Sequence, residues 1–504
     1  MPYEVVVVGA GIGGLTAAAL LAARGVSVCV LERESRGGGC AGGFEKFGYR
    51  FETTAGLYAG WGEGDTHARV FAELPVEPPT ARKLTPAYVV RLGDGTDVRV
   101  SGDAEEFGET LRAAFAECAD AAVSFYRELA TLGNALGRRG GSAGEGARAR
   151  GFGRLRELFG GGGDGAARAL AARDDTTAAR LVAASARFRG FVDAQLEMFA
   201  QASSQRCPLA LAAHALTLPR RGLYSLAGGA PALADALADS IRSSGGAVRF
   251  DATALRLAYD AEGRAAGVEL LSGETVSASR AVVSNLTIWD TYGKLVGLSR
   301  TPANVRAGLK TLRGRGAYLL FLGMDERAAA RLPAAHLIAA PSVADAGSDS
   351  DADPARTQFV FSSSPAWDAR APAGRRAVTV STFADTDEWF AYHTDDAEHE
   401  AQDERTMGEI WARLHAAVPE LGDAVEVVET LTPRGYHEWT RRRLGQVGAA
   451  WQSEATPATN PFTHRTAIPR LFAVGDTIAG GAGVEAVTRA ALAVADDIAP
   501  AVRK

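Results

Sequence analysis

Six residues near the start of the chain have the types and spacing to hold a diphosphate: Gly9-Ala10-Gly11-Ile12-Gly13-Gly14, preceded by Val5-Val6-Val7-Val8 and followed by small and apolar residues up to Arg24. Gly9 permits a tight turn, Gly11 lets the backbone approach phosphate oxygens, and Gly14 lets the next helix pack close on the strand. That helix, read over 15–24, aims its N-terminal N–H groups at the negative charge. A second strand over 26–31 ends at Glu32, 18 residues after Gly14. A carboxylate there can accept both hydroxyls of an adenosine ribose and repels a 2′-phosphate, so the pattern predicts FAD or NAD rather than NADP. Two blander readings compete. The 19 uncharged residues 5–23 have the length of a membrane span, but four glycines, Thr16 and the neighbouring Glu4 argue against it. A glycine-rich turn without a ligand does not need the strand, helix and acid that surround this one.

Other reactive side chains are sparse. Cys29, Cys40, Cys118 and Cys207 form no CxxC pair, which suits a reducing cytoplasm and excludes a cysteine-built zinc or iron–sulfur site. Cys29 falls in a core strand. The eight histidines are dispersed. His393 and His399 lie among Asp395, Asp396, Glu398 and Asp403, which reads better as an acidic helix start than as a metal cluster. No serine or cysteine triad is evident. The net charge of -6 gives no reason to expect nucleic acid, and no basic segment marks a signal peptide. At 504 residues and 47% hydrophobic content the chain can build a large core, with a prior of about three domain-sized units or two domains with insertions.

The elements that must position these residues follow from local pattern. A second glycine cluster, Gly37-Gly38-Gly39-Cys40-Ala41-Gly42-Gly43, follows Glu32 as a loop that hugs the cofactor, and 44–52 alternates like a strand pair turning at Gly48. Residues 105–133 read as a helix. Residues 137–165 are rich in glycine and arginine and read as a mobile insertion or lid; helix resumes around 166–202. Gly228-Gly229 opens a helix over 230–244, followed by a meander with strands at 247–250, 254–259, 266–271, 275–277 and 281–284. Strands at 317–322, 357–363 and 376–382 and a helix at 396–417 suggest an antiparallel sheet with helices. The end returns to strand, glycine loop and helix: 470–476, 480–484 and 485–499. The fold class is α/β, a Rossmann-type domain from 1–62, 220–290 and 440–504 with an inserted α+β substrate domain from 63–219 and 291–439.

The chain resembles the carotenoid desaturase and isomerase (phytoene desaturase-like) branch of the FAD-dependent amine-oxidase superfamily over nearly its whole length. The residues that carry the resemblance are Gly9-Ala10-Gly11-Ile12-Gly13-Gly14 with Glu32-Arg33, and Gly38-Gly39-Cys40-Ala41-Gly42 with Gly48-Tyr49-Arg50-Phe51-Glu52. Further along are Ala227-Gly228-Gly229 with Leu233 and Leu237, Ala281-Val282-Val283-Ser284-Asn285, and Leu471-Phe472-Ala473-Val474-Gly475-Asp476-Thr477. The run from Gly475-Asp476 to Gly483-Val484 and Ala486-Val487 is closer to the isomerase version. The resemblance implies FAD as cofactor, with Asp476 accepting from a ribityl hydroxyl and Ala254 meeting the adenine through its backbone. It also implies that the helix near Gly483 points at the ring region where negative charge collects on reduction. Thr54 stands where the family has glycine, and Thr488-Arg489 replaces a serine-glycine, which places an arginine near the flavin edge.

What the resemblance implies for function is oxidoreductase chemistry on a lipophilic polyene, by hydride transfer to flavin N5: desaturation, or isomerisation with no net redox change. Neither route demands a side-chain nucleophile. The alternative on the same fold is a redox tailoring or cyclising enzyme on a polyketide-like polyene. An amine oxidase places lower, because such relatives carry a lysine where this chain has Gly314-Arg315-Gly316, and a non-enzymatic flavin scaffold is the remaining rival. Tyr58, Trp61, Tyr224, Tyr436 and Trp439 are candidates for the wall of the substrate tunnel, although buried aromatics are more often simple core. Residues 137–190 hold eleven arginines against five acids, with Phe152, Leu155, Leu158 and Phe159 interleaved. Such a segment can rest on anionic lipid and admit a greasy substrate, or be a solvated insertion. Lipid contact predicts sedimentation with anionic liposomes that weakens when these arginines are neutralised; absent or salt-independent binding contradicts it.

Overall fold

Four consecutive valines favour a strand covered on both faces. The structure is a computed structural model that describes residues 3–140, 177–182, 185–341, 358–391, 395–453, 455–478 and 483–500. In it β1 (Tyr3–Val8) lies inside a seven-stranded sheet with Val5, Val6 and Val7 fully buried. It pairs in parallel with β2 (Val28–Leu31) and with the second half of the strand Thr275–Ser284. Ala247–Arg249 and Leu471–Ala473 extend the parallel part on its two sides. Between β1 and β2 runs α1 (Ile12–Ala23), with all but Ala23 of its residues buried. It packs against helices Gly229–Ser243 and Val484–Ile498, and burial all round explains its lack of a polar face.

The meander differs from expectation in one respect. Its last strand and the crossover strand are one ten-residue element, Thr275–Ser284. Its first half pairs antiparallel with Ala265–Leu270 and its second half parallel with β1 and Leu471–Ala473. No Gly, Pro, Asn or Asp stands between Thr275 and Ser284 to end it.

The second sheet has eight strands. Its order is Val425–Leu431, Leu312–Asp325, Arg375–Ala384, Phe359–Ser363, His336–Ala339, Tyr88–Arg91, Asp97–Val100, with Val447–Gln452 also on Leu312–Asp325. The strand expected at 317–322 thus runs for fourteen residues. Gly314 and Gly316 do not break it. A Cβ at Gly316 would lie 2.9 Å from Pro433 and one at Gly314 3.1 Å from Gln446, so these glycines mark close approach. Both 63–219 and 291–439 contribute strands to this sheet, and Val447–Gln452 joins it from beyond position 440.

Helices cap that sheet. The single helix expected over 105–133 is two, Ala104–Ala114 and Ala119–Gly140, joined by a 3₁₀ turn at Ala116–Cys118. Asp103 caps the first by accepting the N–H groups of Glu105 and Glu106, each at 2.9 Å. Both pack with Ala186–Ala200 and Leu209–Leu216 over an aromatic core of Phe115, Phe125, Phe188 and Phe191. Residues 137–140 finish the helix Ala119–Gly140; the rest of the insertion expected at 137–165, and most of the arginine-rich 137–190, lie outside the described residues. Arg187, which is described, pairs with Asp94 at 2.7 Å. No helix among the described residues is long and apolar enough to cross a membrane.

The two sheets are tied by a buried ion cluster. Arg370, from the loop before Arg375–Ala384, donates to Glu52 Oε1 at 2.7 Å and pairs with Asp368 at 2.7 Å. Glu52 also accepts from the N–H of Ala230, and Asp368 from that of Gly228, so both carboxylates cap the helix Gly229–Ser243. Burial alone would raise the Glu52 carboxyl; Arg370 and the Tyr58 hydroxyl hold it below its ordinary value. Arg370→Met leaves that carboxylate unpaired and is expected to destabilise the fold by about 3–5 kcal/mol. Thermal unfolding of the variant checks this, and a midpoint equal to that of the parent chain contradicts it.

Candidate active site

The glycine turn forms because the chain leaves no room for side chains there. Gly9 has φ +94° and donates to Leu31 O at 2.8 Å. A Cβ at Gly14 would run into the Gly9 carbonyl oxygen, and one at Gly11 into the Asn285 amide; at Gly13 it would lie 2.9 Å from Asn285 Oδ1. Ala10 faces away from the cavity. Its N–H donates to Glu32 Oε2 at 2.6 Å and its carbonyl accepts from Gly38 at 2.8 Å. The second glycine loop therefore lies directly on the first: Gly39 has φ +58°, and a Cβ there would approach Gly11 Cα to 3.3 Å.

Glu32 stands at the end of β2, with Oε1 accepting from Glu34 N–H at 2.9 Å. Desolvation raises its carboxyl, against the N–H groups of Glu34 and Ala10 that favour the charged form. Each oxygen retains a lone pair for a ligand hydroxyl. Arg33, on the cavity wall, donates to Trp439 O at 2.6 Å and pairs with Glu34. Burial raises the Cys40 thiol, opposed by Arg442, and Cys40 Sγ lies 4.0 Å from Asp476 Oδ2.

At the C-terminal end Gly475 has φ +122° and Asp476 follows it. Sequence reasoning missed the partner of Asp476. Arg442 Nη2 donates to both Asp476 oxygens at 2.9 Å, and the N–H of Gly448 reaches Oδ2 at 2.8 Å. Gly483, with φ +95°, caps the helix Val484–Ile498, whose first residue lines the same cavity. Arg489, the arginine the sequence suggested near the flavin edge, turns back to Glu485, donating at 2.7 Å and 2.8 Å, and is not among the residues lining the cavity. The i,i+4 spacing of an acid and an arginine on one helix face was the available signal.

These residues surround one cavity of about 600 Å³. Gly9, Gly11, Ile12, Gly13, Glu32, Arg33, Gly38, Gly39, Cys40, Ala254, Gly475, Asp476, Gly483 and Val484 line it, while Ala10 and Gly14 stand behind its wall. Asn285 lines it too. The far wall belongs to the second sheet and its helices: Ala317, Leu319, Phe359, Val360, Phe383 and Met198. Of the five aromatics expected there, Tyr436 and Trp439 line the cavity. Tyr58 is turned to Glu52, Tyr224 pairs with Lys83 at a strand, and Trp61 stacks on His67 at 4.7 Å. His393 lies outside the described residues; Asp395 caps the helix Asp396–Ala417 by accepting the Glu398 N–H at 3.1 Å, and His399 Nε2 meets Thr432 Oγ1 at 3.0 Å. Among the described residues no three metal-ligating side chains converge.

Comparison with known proteins gives this geometry its context. Residues 7–74 match the family model of the NAD(P)-binding Rossmann-like domain. The chain is 23% identical over 497 residues to the chloroplastic prolycopene isomerase of Arabidopsis thaliana, covering 96% of this chain and 80% of that protein. It is 37% identical over 109 residues, 21% of each chain, to the carotenoid 3,4-desaturase of Haloarcula japonica. An oxidoreductase from Methanosarcina mazei superposes with a TM-score of 0.63 at 17% identity, covering 97% of this chain and 99% of that one. Cyclohexylamine oxidase from Brevibacterium oxydans superposes with a TM-score of 0.56 at 17% identity, covering 99% of each. The chain is thus similar in sequence to carotenoid isomerases along nearly its whole length and to a carotenoid desaturase over a fifth of it, and it shares the fold of an amine oxidase. The solved structures it superposes on include oxidoreductases. Glu32→Ala removes the acceptor that faces both Ala10 N–H and the cavity. Flavin retention on gel filtration, followed by absorbance, is expected to fall at least about tenfold, from loss of roughly 1.5–3 kcal/mol of charged hydrogen bonding; full retention contradicts the role.

Proposed function

We propose that the cavity holds FAD and, beside it, an extended isoprenoid polyene, which the enzyme isomerises between cis and trans forms or desaturates. The observation that carries this reading is the continuity of one cavity from Gly11 and Glu32 to the apolar wall of the second sheet. FAD suits the cradle. The glycine turn has no room for side chains but exposes backbone, α1 begins at Ile12 with its N–H groups toward the turn, and Glu32 keeps acceptor capacity for a ribose. At the other end, the start of the helix Val484–Ile498 brings a second positive dipole to the cavity. Bound there, a flavin supplies hydride acceptance and donation.

The chain's own residues shape the substrate side. Several polar side chains in its walls already have partners within the protein. Thr53 Oγ1 donates to Cys40 O at 2.9 Å, Thr54 to Glu52 at 2.9 Å, Gln358 Nε2 to Ala194 O at 2.8 Å and Thr382 to Gln358 O at 2.7 Å. A hydrocarbon chain laid along Ala317, Leu319 and Phe383 therefore strands few donors. Arg315, in the stretch where amine oxidases of this fold carry lysine, instead donates to the buried Glu197 at 2.6 Å. Isomerisation is the first activity to test, because the relatives that match along nearly the whole chain are named isomerases.

The test is an anaerobic titration with a detergent-dispersed cis-carotenoid, following the flavin band and the polyene spectrum. Isomerisation predicts an unchanged oxidised band and cis-to-trans conversion only after chemical reduction. Desaturation predicts bleaching with a more conjugated product. No response in either redox state overturns the assignment to polyenes.

A further inference from the structure

Arg442 belongs to no glycine motif, yet the surrounding backbone follows a forced path to deliver it. Arg441 has φ 54° and Leu444 φ 50°, both in the left-handed region that costs a side-chain-bearing residue about 1–3 kcal/mol. Gly445, at φ 61°, lies so close to the Pro433 carbonyl oxygen that a Cβ would run into it. Gly448, at φ 76°, is pressed against the Gln201 amide, whose Oε1 accepts from the Ala449 N–H at 2.5 Å. Strain on both sides of one side chain, in a segment that lines the cavity, marks a position held for a purpose beyond chain connection.

What the path achieves is a fixed guanidinium. Arg442 Nε donates to Gln446 O at 2.6 Å, and Nη2 to both oxygens of Asp476. Gly448 N–H adds a third donor to that carboxylate. Nη1 has no hydrogen bond to any described residue, and Arg442 lines the cavity. Burial alone would lower the Arg442 guanidinium; Asp476 outweighs it and keeps the side chain charged. Nearby are the Cys40 thiol, whose pKa burial raises, and Asp290, which pairs with Lys294 at 2.8 Å.

We propose that Arg442 is a positioning residue for the cofactor: it locks Asp476 in place and sets a positive charge with an unused Nη1 amino group in the wall at the flavin end, favouring the negative charge that gathers there on reduction. This rests on the FAD reading above. An ion pair that merely stiffens the fold predicts a lower unfolding temperature and nothing else. A charge that acts on the cofactor moves its reduction potential, and moves it in opposite directions when the cation and its carboxylate partner are removed in turn.

The experiment measures flavin retention and the two-electron midpoint potential, by equilibration with reference dyes, in the full chain and three variants. R442Q is expected to retain flavin less tightly and to favour the oxidised form about tenfold more, a shift of about 30 mV to lower potential. R442K keeps a cation and should hold the potential near the parent value. It should also lose part of the flavin, because one ammonium cannot serve Gln446 O and both Asp476 oxygens with the geometry of a guanidinium. D476N leaves Arg442 without its counter-charge and should raise the potential, which gives an independent reading if R442Q does not fold. A parent-like potential in R442Q, or an unchanged or lower potential in D476N, overturns the role of Arg442. A parent chain that takes up no FAD overturns the cofactor assignment and this role together.

Discussion

The turn between β1 and α1 is the constraint on which the rest depends. It has almost no side chains, so other segments can settle on its backbone. The Ala10 carbonyl accepts from Gly38, the Val8 carbonyl from Asn285 at 2.8 Å, and the Ala10 N–H is held by Glu32. Val474 then joins through Ser284 O at 2.8 Å, which sets Gly475 and Asp476 beside Asn285. Residues separated by more than 400 positions meet there because none of the glycines carries a Cβ. A single methyl group at Gly14 would strike the Gly9 carbonyl and displace the helix that orders everything else.

Around this turn the two sheets are joined by charge as well as by packing. The Glu52–Arg370–Asp368 cluster joins the start of the helix Gly229–Ser243 to a loop of the second sheet. The Arg442–Asp476 pair joins the C-terminal glycine motif to the segment leading into Val447–Gln452. Both pairs are buried or nearly so, where breaking one partner costs far more than the pair contributes by itself. Their effect is to hold the cavity walls in register: a polar cradle on one side and an apolar sheet face on the other.

Much of this was legible in the sequence, for reasons that can be named. Glycine spacing, a valine strand and an acid at Glu32 are local signals, and the helix at Asp396–Ala417 carries its own acidic cap. The glycines that line the cavity were readable because close backbone approach demands glycine. What was hidden depends on contacts between distant segments. Nothing local distinguishes Arg442 from the arginines beside it, since its partners Gln446 O and Asp476 are assigned only by the fold. Asn285 could be seen as the end of a crossover strand but not as the side chain filling the space over Gly11 and Gly13. Tyr58, Trp61 and Tyr224 have the composition of a tunnel wall but pack elsewhere, because an aromatic ring reports burial and not what it is buried against. Gly314 and Gly316, ahead of the strand read at 317–322, make room for Gln446 and Pro433 and lie inside the longer strand.

The central claim is that the cradle at Gly9–Gly14 and Glu32 and the pocket at Asp476 and Gly483 are two ends of one dinucleotide site. The most direct test is to purify the protein, release its cofactor by heat and identify it by mass together with its ratio to protein. The account predicts FAD at one molecule per chain. FMN, or a nicotinamide dinucleotide without flavin, would contradict it, because either would leave one end of the site without the group it is shaped to hold.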